Sequence, residues 1–239
     1  MEKKTKFDEE LGNIGITLTD RQKDQFERYY EMLVEWNKVM NLTGITDYDE
    51  VNLKHFTDSL TLVRDINMDE ITTMIDIGTG AGFPGMPIKI AFPHIKVVLL
   101  DSLNKRIKFL NAVIEELELE EIKTLHGRAE DFARKEEYRE KFDLCASRAV
   151  ANLSTLSEYC IPFIKTGGRF ISYKSGESTE EIENSRKAVD ILGGKIENVD
   201  KFILADSDIR RALVVIRKER NTPKRYPRKA GIPGKEPLR

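Results

Sequence analysis

Asp76-Ile-Gly-Thr-Gly-Ala-Gly-Phe-Pro-Gly85 decides how this chain is read. The short apolar run MIDIG (residues 74–78) leads into it, and a helix whose first turn can hold Pro84 leads away. Glycines let a backbone turn sharply and let a ligand approach closely. The stretch carries a dinucleotide-type spacing in a second register, Gly80-Ala-Gly82-Phe-Pro-Gly85. Charge separates the two ligands. A dinucleotide would set a pyrophosphate against Asp76, whereas S-adenosylmethionine brings an ammonium and a sulfonium that an acid suits. No GxxxxGK[ST] occurs, so a P-loop nucleotidase is not supported.

Outward from the loop, apolar runs alternate with helical spacing. KVVLLD (residues 96–101) ends in an acid and is followed by NKRIKFLNAVIEEL. IKTLHG (residues 122–127) leads to a charged helix, FDLCASR (142–148) to ANLSTLSEYCIPF, and GGRFISYK (167–174) to STEEIENSRKAVDIL. This alternation predicts an α/β fold with a mostly parallel sheet covered on both faces. KIENVDKFIL and RALVVIRK have no room for a helix between them, so they are expected to form a final antiparallel hairpin. Upstream, Phe26, Tyr29, Tyr30, Leu33, Val34, Trp36 and Met40 recur at helical spacing from residue 19 to 41, with Thr19 or Asp20 as N-cap. A second helix is expected over residues 48–66.

Asp101 ends the second run about twenty residues after the glycine loop, where an acid can accept from both ribose hydroxyls of either ligand. Ala129 and Glu130 follow the third run, where an amide and a carboxylate can meet an adenine edge. Glu130 reads equally well as a helix N-terminal acid. All these positions fall at the carboxyl ends of strands, the ligand edge of an open α/β sheet.

The fourth run delivers Ser147-Arg148-Ala149-Val150, not the [N/D/S]-P-P-aromatic motif of enzymes that methylate exocyclic amines. Cys145 sits inside the run and, with Cys160, is expected to be a core thiol rather than a nucleophile. Arg148 cannot serve as a base but can bind a carboxylate, a phosphate or a guanine edge. The absence of an obvious base suits a target with a ready lone pair, such as guanine nitrogen-7.

Composition narrows the classes further. Two cysteines and three scattered histidines, His55, His94 and His126, match no zinc or iron–sulfur spacing. No apolar run approaches a membrane span, and the charged start is unlike a secretion signal, so a cytoplasmic protein without metal or membrane attachment is expected. The formal charge is -2, but residues 221–239 hold six basic residues against one acid, with four of the eight prolines. Such a tail is expected to be extended and suggests a polyanion contact through Lys224, Arg225, Arg228 and Lys229. A disordered solubilising tail is the other reading. The acidic EELELEE patch (residues 115–121) falls opposite the ligand edge.

Seven segments together carry a family resemblance: WNKVMNLTGIT (36–46), KHFTDSL (54–60), DIGTGAGFPG (76–85), DSLNKRIKFL (101–110), GRAED (127–131), SRAVANL (147–153) and TPKRYPRKAGIPGKEPL (222–238). In this order they resemble the bacterial RsmG (GidB) family, which methylates guanine nitrogen-7 in 16S ribosomal RNA. The resemblance implies a class I S-adenosylmethionine-dependent methyltransferase sheet with an N-terminal helical extension. It implies donor contacts at Gly78, Phe83, Ala129, Glu130 and Arg148. With the residues read above, the candidate donor site is Asp76, Gly78, Gly80, Gly82, Phe83, Asp101, Ser102, Ala129, Glu130 and Arg148. Many members carry alanine at Thr79 and serine at Gly85; neither change is expected to harm donor binding. Asn41 reads as a helix C-cap. His55 and Asp58, three apart on a helix face, are either a surface pair or, with Arg148, a wall that positions the substrate. The expected organisation is an extension over residues 1–70, a methyltransferase domain over 71–220 and the tail over 221–239. The expected partner is 16S rRNA or a small-subunit precursor, bound by a monomer. The alternatives are an NAD(P) oxidoreductase and a non-catalytic RNA-binding factor that keeps the donor pocket.

Overall fold

The run that opens the glycine loop lies at the middle of the sheet. The computed structural model describes residues 5–148, 151–205 and 207–239. Its strands are β1 (Thr73–Ile77), β2 (Lys96–Asp101), β3 (Ile122–His126), β4 (Phe142–Arg148), β5 (Ile164–Ser175), β6 (Gly194–Ile203) and β7 (Arg210–Lys218). They pair in the order β3-β2-β1-β4-β5-β7-β6. The first five are parallel, and β7 runs antiparallel to both β5 and β6, as the missing crossover required.

Alternate residues of the inner strands feed two cores. Met74, Val97, Leu99 and Leu144 face one layer. Ile75, Ile77, Val98, Leu100 and Cys145 face the other. Burial on both faces is why these strands read as unbroken apolar runs. The first layer holds α1 (Lys6–Asn13), α2 (Asp20–Met40), α3 (Tyr48–Val51), α4 (Asp58–Leu60), α5 (Gly85–Ala91) and α6 (Asn104–Glu116). The second holds α7 (Ala129–Phe132), α8 (Leu153–Cys160), α9 (Thr179–Ile191) and, in the tail, α10 (Ile232–Lys235).

α2 starts at a Thr19–Gln22 capping box and ends at Asn41 in the left-handed region, φ 50°. The expected helix over residues 48–66 is helical but irregular. A π-helical turn, Asn52–Thr57, separates α3 from α4, and a 3₁₀ turn follows. The charged helix expected after β3 shrinks to the single turn of α7. The acidic stretch before β3 lies away from the ligand edge, with Glu116 on Arg28, Glu118 on Arg21 and Glu121 on Lys96.

The tail departs from its expected form. It is packed on the second layer and includes α10. Tyr226 is 7% exposed and belongs to the core. Prolines prevent a long helix here but not packing. The carbonyls they leave without ladder partners are met by guanidinium groups. Arg139 donates to Thr222 and Tyr226 at 2.7 and 2.9 Å, and Arg134 donates to Pro227 at 2.6 Å.

The strand order reverses at β1. The chain steps outward to β3, then returns to lay β4 on the other side of β1. The segments leaving β1 and β4 therefore diverge and open a crevice at the carboxyl ends of the strands. Ala149 and Val150, read above as part of the segment after β4, lie outside the described residues.

Candidate active site

The glycine loop is held from three sides. Gly78 and Gly80 take φ of 71° and 64°, which favour glycine. Beneath the loop, Asp76 Oδ2 accepts from Thr79 Oγ1 at 2.7 Å and from the Gly85 amide at 2.8 Å. Asp76 Oδ1 is buried with no partner among the described residues. Burial pushes this carboxyl up to about 7, against the opposing pull of those two hydrogen bonds and of Arg148. From β2, Asp101 Oδ2 accepts from the Gly80 amide at 2.9 Å and from Arg106 at 3.1 Å, while Oδ1 accepts from the Leu103 amide at 2.9 Å. From α2, the buried Tyr29 hydroxyl donates to the Ala81 carbonyl. The helical extension thus touches the loop directly.

The glycines at residues 82 and 85 serve packing. A Cβ at Gly82 would run into the Tyr29 hydroxyl, and one at Gly85 would run into Leu99 and lie 2.9 Å from Asp76 Oδ2. Serine at Gly85, expected to leave donor binding unharmed, would here require Leu99 and the Asp76 carboxylate to shift. Thr79 likewise differs from alanine here, since its hydroxyl supplies one of the two hydrogen bonds on Asp76.

Two clefts open on this edge. One, of about 370 Å³, is lined by Gly78, Gly80, Phe83, Asp101, Ser102 and Arg106. The other, of about 440 Å³, contains Asp58, Lys174, Ser178, Glu181 and Arg211. His55 and Arg148 line both and form the boundary between them. A smaller recess beside the first cleft is lined by Ser102, Ala129, Glu130 and Tyr159.

The π-helical turn presents the boundary group. His55 stacks on Phe83 of the glycine loop, with ring centroids 4.6 Å apart. Its Nε2 lies 2.8 Å from Thr43 Oγ1, and its Nδ1 lies 3.3 Å from Arg148 Nη2. Nδ1 also lies 3.2 Å from the Lys54 carbonyl, so both ring nitrogens are engaged within the protein. Burial and then Arg148 push the imidazole down to about 4, so it is neutral at pH 7. Arg148 also donates to the Lys54 carbonyl at 3.1 Å and to Asp58 Oδ2 at 3.0 Å. Arg211 of β7 takes Asp58 Oδ1 at 2.8 Å. One buried carboxylate therefore orients two arginines, and the cluster keeps net positive charge.

Of the residues singled out in the sequence, Gly78, Gly80, Phe83, Asp101, Ser102 and Arg148 line the first cleft, and Ala129 and Glu130 line its recess. Asp76 and Gly82 lie beneath it and shape the loop. Glu130 Oε1 accepts from the Gly231 amide of the tail at 2.9 Å. Lys224, Arg225 and Lys229 are exposed, but Arg228 is spent in an ion pair with the fully buried Glu158 at 2.7 Å. Sequence reasoning missed Tyr29, Thr43, Arg106 and Arg211. Each stands in an ordinary helix, loop or strand pattern and gains its role only from a distant partner. Cys145 and Cys160 are buried in the second core, and burial pushes the Cys145 thiol well up, as expected for an unreactive thiol. Among the described residues, no helix is long and apolar enough to cross a membrane.

The strand order, the final antiparallel hairpin and the cleft at the β1/β4 reversal define a class I methyltransferase fold. Solved structures of that architecture superpose on it. Pyrococcus horikoshii TYW2 in complex with MeSAdo is 14% identical, with a TM-score of 0.54 over 68% of this chain and 62% of its own. M. jannaschii TYW2 in complex with AdoMet is 15% identical, with a TM-score of 0.51 over 63% of this chain and 70% of its own. The family model described as rRNA small subunit methyltransferase G matches residues 22–211. Relatives named Ribosomal RNA small subunit methyltransferase G are 53% identical in Lachnoclostridium phytofermentans, over 97% of this chain and 96% of theirs, and 48% in Bacillus subtilis, over 97% of each. The chain belongs to the ribosomal RNA small subunit methyltransferase G family.

Proposed function

We propose that this chain transfers a methyl group from S-adenosylmethionine to nitrogen-7 of a guanine in 16S ribosomal RNA. The observation that carries the reading is the shared wall: a donor-sized cleft on the glycine loop meets a second cleft at His55 and Arg148. The first cleft fits the donor. The partnerless oxygen of Asp76 lies under the loop, where positive charge is welcome, and Asp101 offers a carboxylate at the ribose position. The recess of Ser102, Ala129 and Glu130 suits an adenine. A dinucleotide pyrophosphate would instead face both Asp76 and Asp101.

The donor supplies an electrophilic methyl group on a sulfonium. The protein's contribution is placement. Phe83 and His55, stacked, form an uncharged partition beside the reacting centre. Asp58 fixes Arg148 and Arg211 so that their remaining N–H groups face the second cleft, where they can hold a base oxygen or a phosphate. Guanine nitrogen-7 carries no proton, so no base is needed. His55 agrees with that, because both its ring nitrogens are already engaged, by Thr43, Arg148 and the Lys54 carbonyl. Exposed Lys224, Arg225 and Lys229 extend the contact to the RNA backbone, on an assembled small-subunit precursor or its RNA, by a monomer in the cytoplasm.

Calorimetry with S-adenosylmethionine and with NAD(P), followed by labelled methyl transfer to rRNA from a deletion strain, tests the reading. Donor binding and 7-methylguanine in the product are expected. NAD(P) binding, or donor binding without transfer to small-subunit particles or their rRNA, would overturn it.

A further inference from the structure

We propose that Glu181 reads the Watson–Crick edge of the target guanine and so adds to the choice of guanine over adenine. The inference rests on the reading just given and extends it to base specificity. Both purines carry a lone pair at nitrogen-7, so the nucleophile itself cannot discriminate. The purines differ on two edges: beside nitrogen-7, where guanine has the O6 acceptor and adenine an N6–H₂ donor, and across the ring, where guanine presents N1–H and N2–H₂ donors and adenine an acceptor at N1.

The second cleft has the matching polarity. Its donor side is marked by His55 and Arg148, which it shares with the first cleft. Ser178 and Glu181 line the same cleft but not the first one, and Glu181 stands at its border with a further cavity lined by Asn152, Ser154 and Asn184. A guanine with nitrogen-7 toward the donor turns its N1 and N2 groups away from the shared wall. Two carboxylates line this cleft, and they are not equivalent. Each Asp58 oxygen is held by an arginine, Oδ1 by Arg211 and Oδ2 by Arg148, so its charge is offset by two guanidinium groups. Glu181 uses only Oε1, which accepts from the Leu153 amide and from Lys174 Nζ at 2.7 Å. Its Oε2 has no partner among the described residues, and the side chain is 32% exposed. The two bonds on Oε1 hold the carboxylate in place and leave one acceptor for N1–H and N2–H₂. A flipped base is commonly read by hydrogen bonds to this edge. The same oxygen repels the N1 lone pair of adenine.

Glu181→Gln is the informative variant. Its amide oxygen can still accept from Leu153 and Lys174, while the free acceptor becomes an NH₂ donor that opposes the guanine edge. The substrate is small-subunit rRNA with guanosine, inosine or adenosine placed at the mapped target position. Inosine lacks only the N2 amine. Wild type is expected to lose about tenfold or more in kcat/KM on inosine, and Glu181→Gln to lose at least that on guanosine. The variant should keep wild-type donor affinity and melting temperature, and its guanosine-to-adenosine ratio should fall. Equal wild-type rates on guanosine and inosine would overturn the proposal. So would a folded, donor-binding Glu181→Gln with wild-type preference. Absence of 7-methylguanine from the wild-type reaction would instead overturn the functional reading beneath it.

Discussion

Asp76 and His55 are buried titratable groups; burial disfavours the charged form of both and so shifts them in opposite directions, the carboxyl up and the imidazole down. The Asp76 carboxyl, pushed up to about 7, binds a proton more tightly folded than unfolded. Its contribution to stability is thus greatest at low pH and is lost as pH rises from its ordinary value through about 7. A shift of that size corresponds to at most about 4 kcal/mol. Asp76→Asn keeps an oxygen for Thr79 and Gly85 and cannot ionise. Urea melts should therefore show the variant gaining on wild type from pH 5 to pH 8, and a constant difference would remove Asp76 as the source. Donor affinity should move the other way, since an ionised Asp76 favours a cation; calorimetry at pH 8 should find the variant the weaker binder. His55 is pushed down to about 4, well below its ordinary range, so it is expected to add no inflection of its own near 6.5 to the pH–rate profile, and any inflection near 7 should vanish in Asp76→Asn. An inflection that vanishes instead in His55→Gln would show that the imidazole is open to solvent in the working enzyme.

Among the elements, α2 has the least obvious role. Its periodicity announces a packed amphipathic helix, yet its Tyr29 also holds the Ala81 carbonyl of the glycine loop. Tyr29→Phe keeps the ring on Phe56 and Phe83 and leaves that carbonyl unpaired, which costs about 1–3 kcal/mol. Part of that cost is expected to appear as weaker donor binding, with RNA affinity unchanged; a variant that loses stability alone would confine α2 to packing. The contrast shows what the sequence makes legible. Unbroken apolar strands, the capping box at Thr19 and the glycine-rich turn are local signals, and they place the sheet, α2 and the loop. Asp101 is legible because it sits at a fixed distance from that loop, and Phe83, within the loop, through the family resemblance. The π-helical turn at His55 leaves no trace in residue spacing, because it differs from an α-helix only in one register of hydrogen bonds. Arg211 reads as an ordinary strand residue until the hairpin carries it to Asp58, 153 positions away. α1 is short and mostly polar, and only Phe7, Glu10 and Leu11 are buried.

For the molecule as a whole, the tail joins the donor recess to a charged outer surface. Its prolines and basic residues suggested a detachable strap, because composition alone cannot distinguish a solvated arginine from one paired in the interior. Arg228 is the deciding case: it neutralises Glu158, whose side chain is fully buried. Arg228→Ala leaves that carboxylate without its charge partner and should cost about 3–5 kcal/mol, whereas Lys224→Ala should cost almost nothing. Truncation after Arg220 removes the same ion pair, buried Tyr226 and the Gly231 amide on Glu130. It should therefore lower both the melting temperature and the donor affinity. An unchanged donor affinity in the truncated protein would separate the tail from the recess. Replacing only Lys224, Arg225 and Lys229 with glutamine keeps the ion pair, the burial of Tyr226 and the Gly231 contact, and removes only the Arg225 guanidinium from over the Tyr226 ring, 5.0 Å from its centroid. Fold and donor binding should survive, while RNA affinity falls and depends less on salt. Each lost phosphate contact removes about 0.7–0.9 from the slope of log affinity against log salt, so the three together can flatten it by about 2. A slope that does not change would leave the tail as a wall of the donor recess and assign RNA binding to another face.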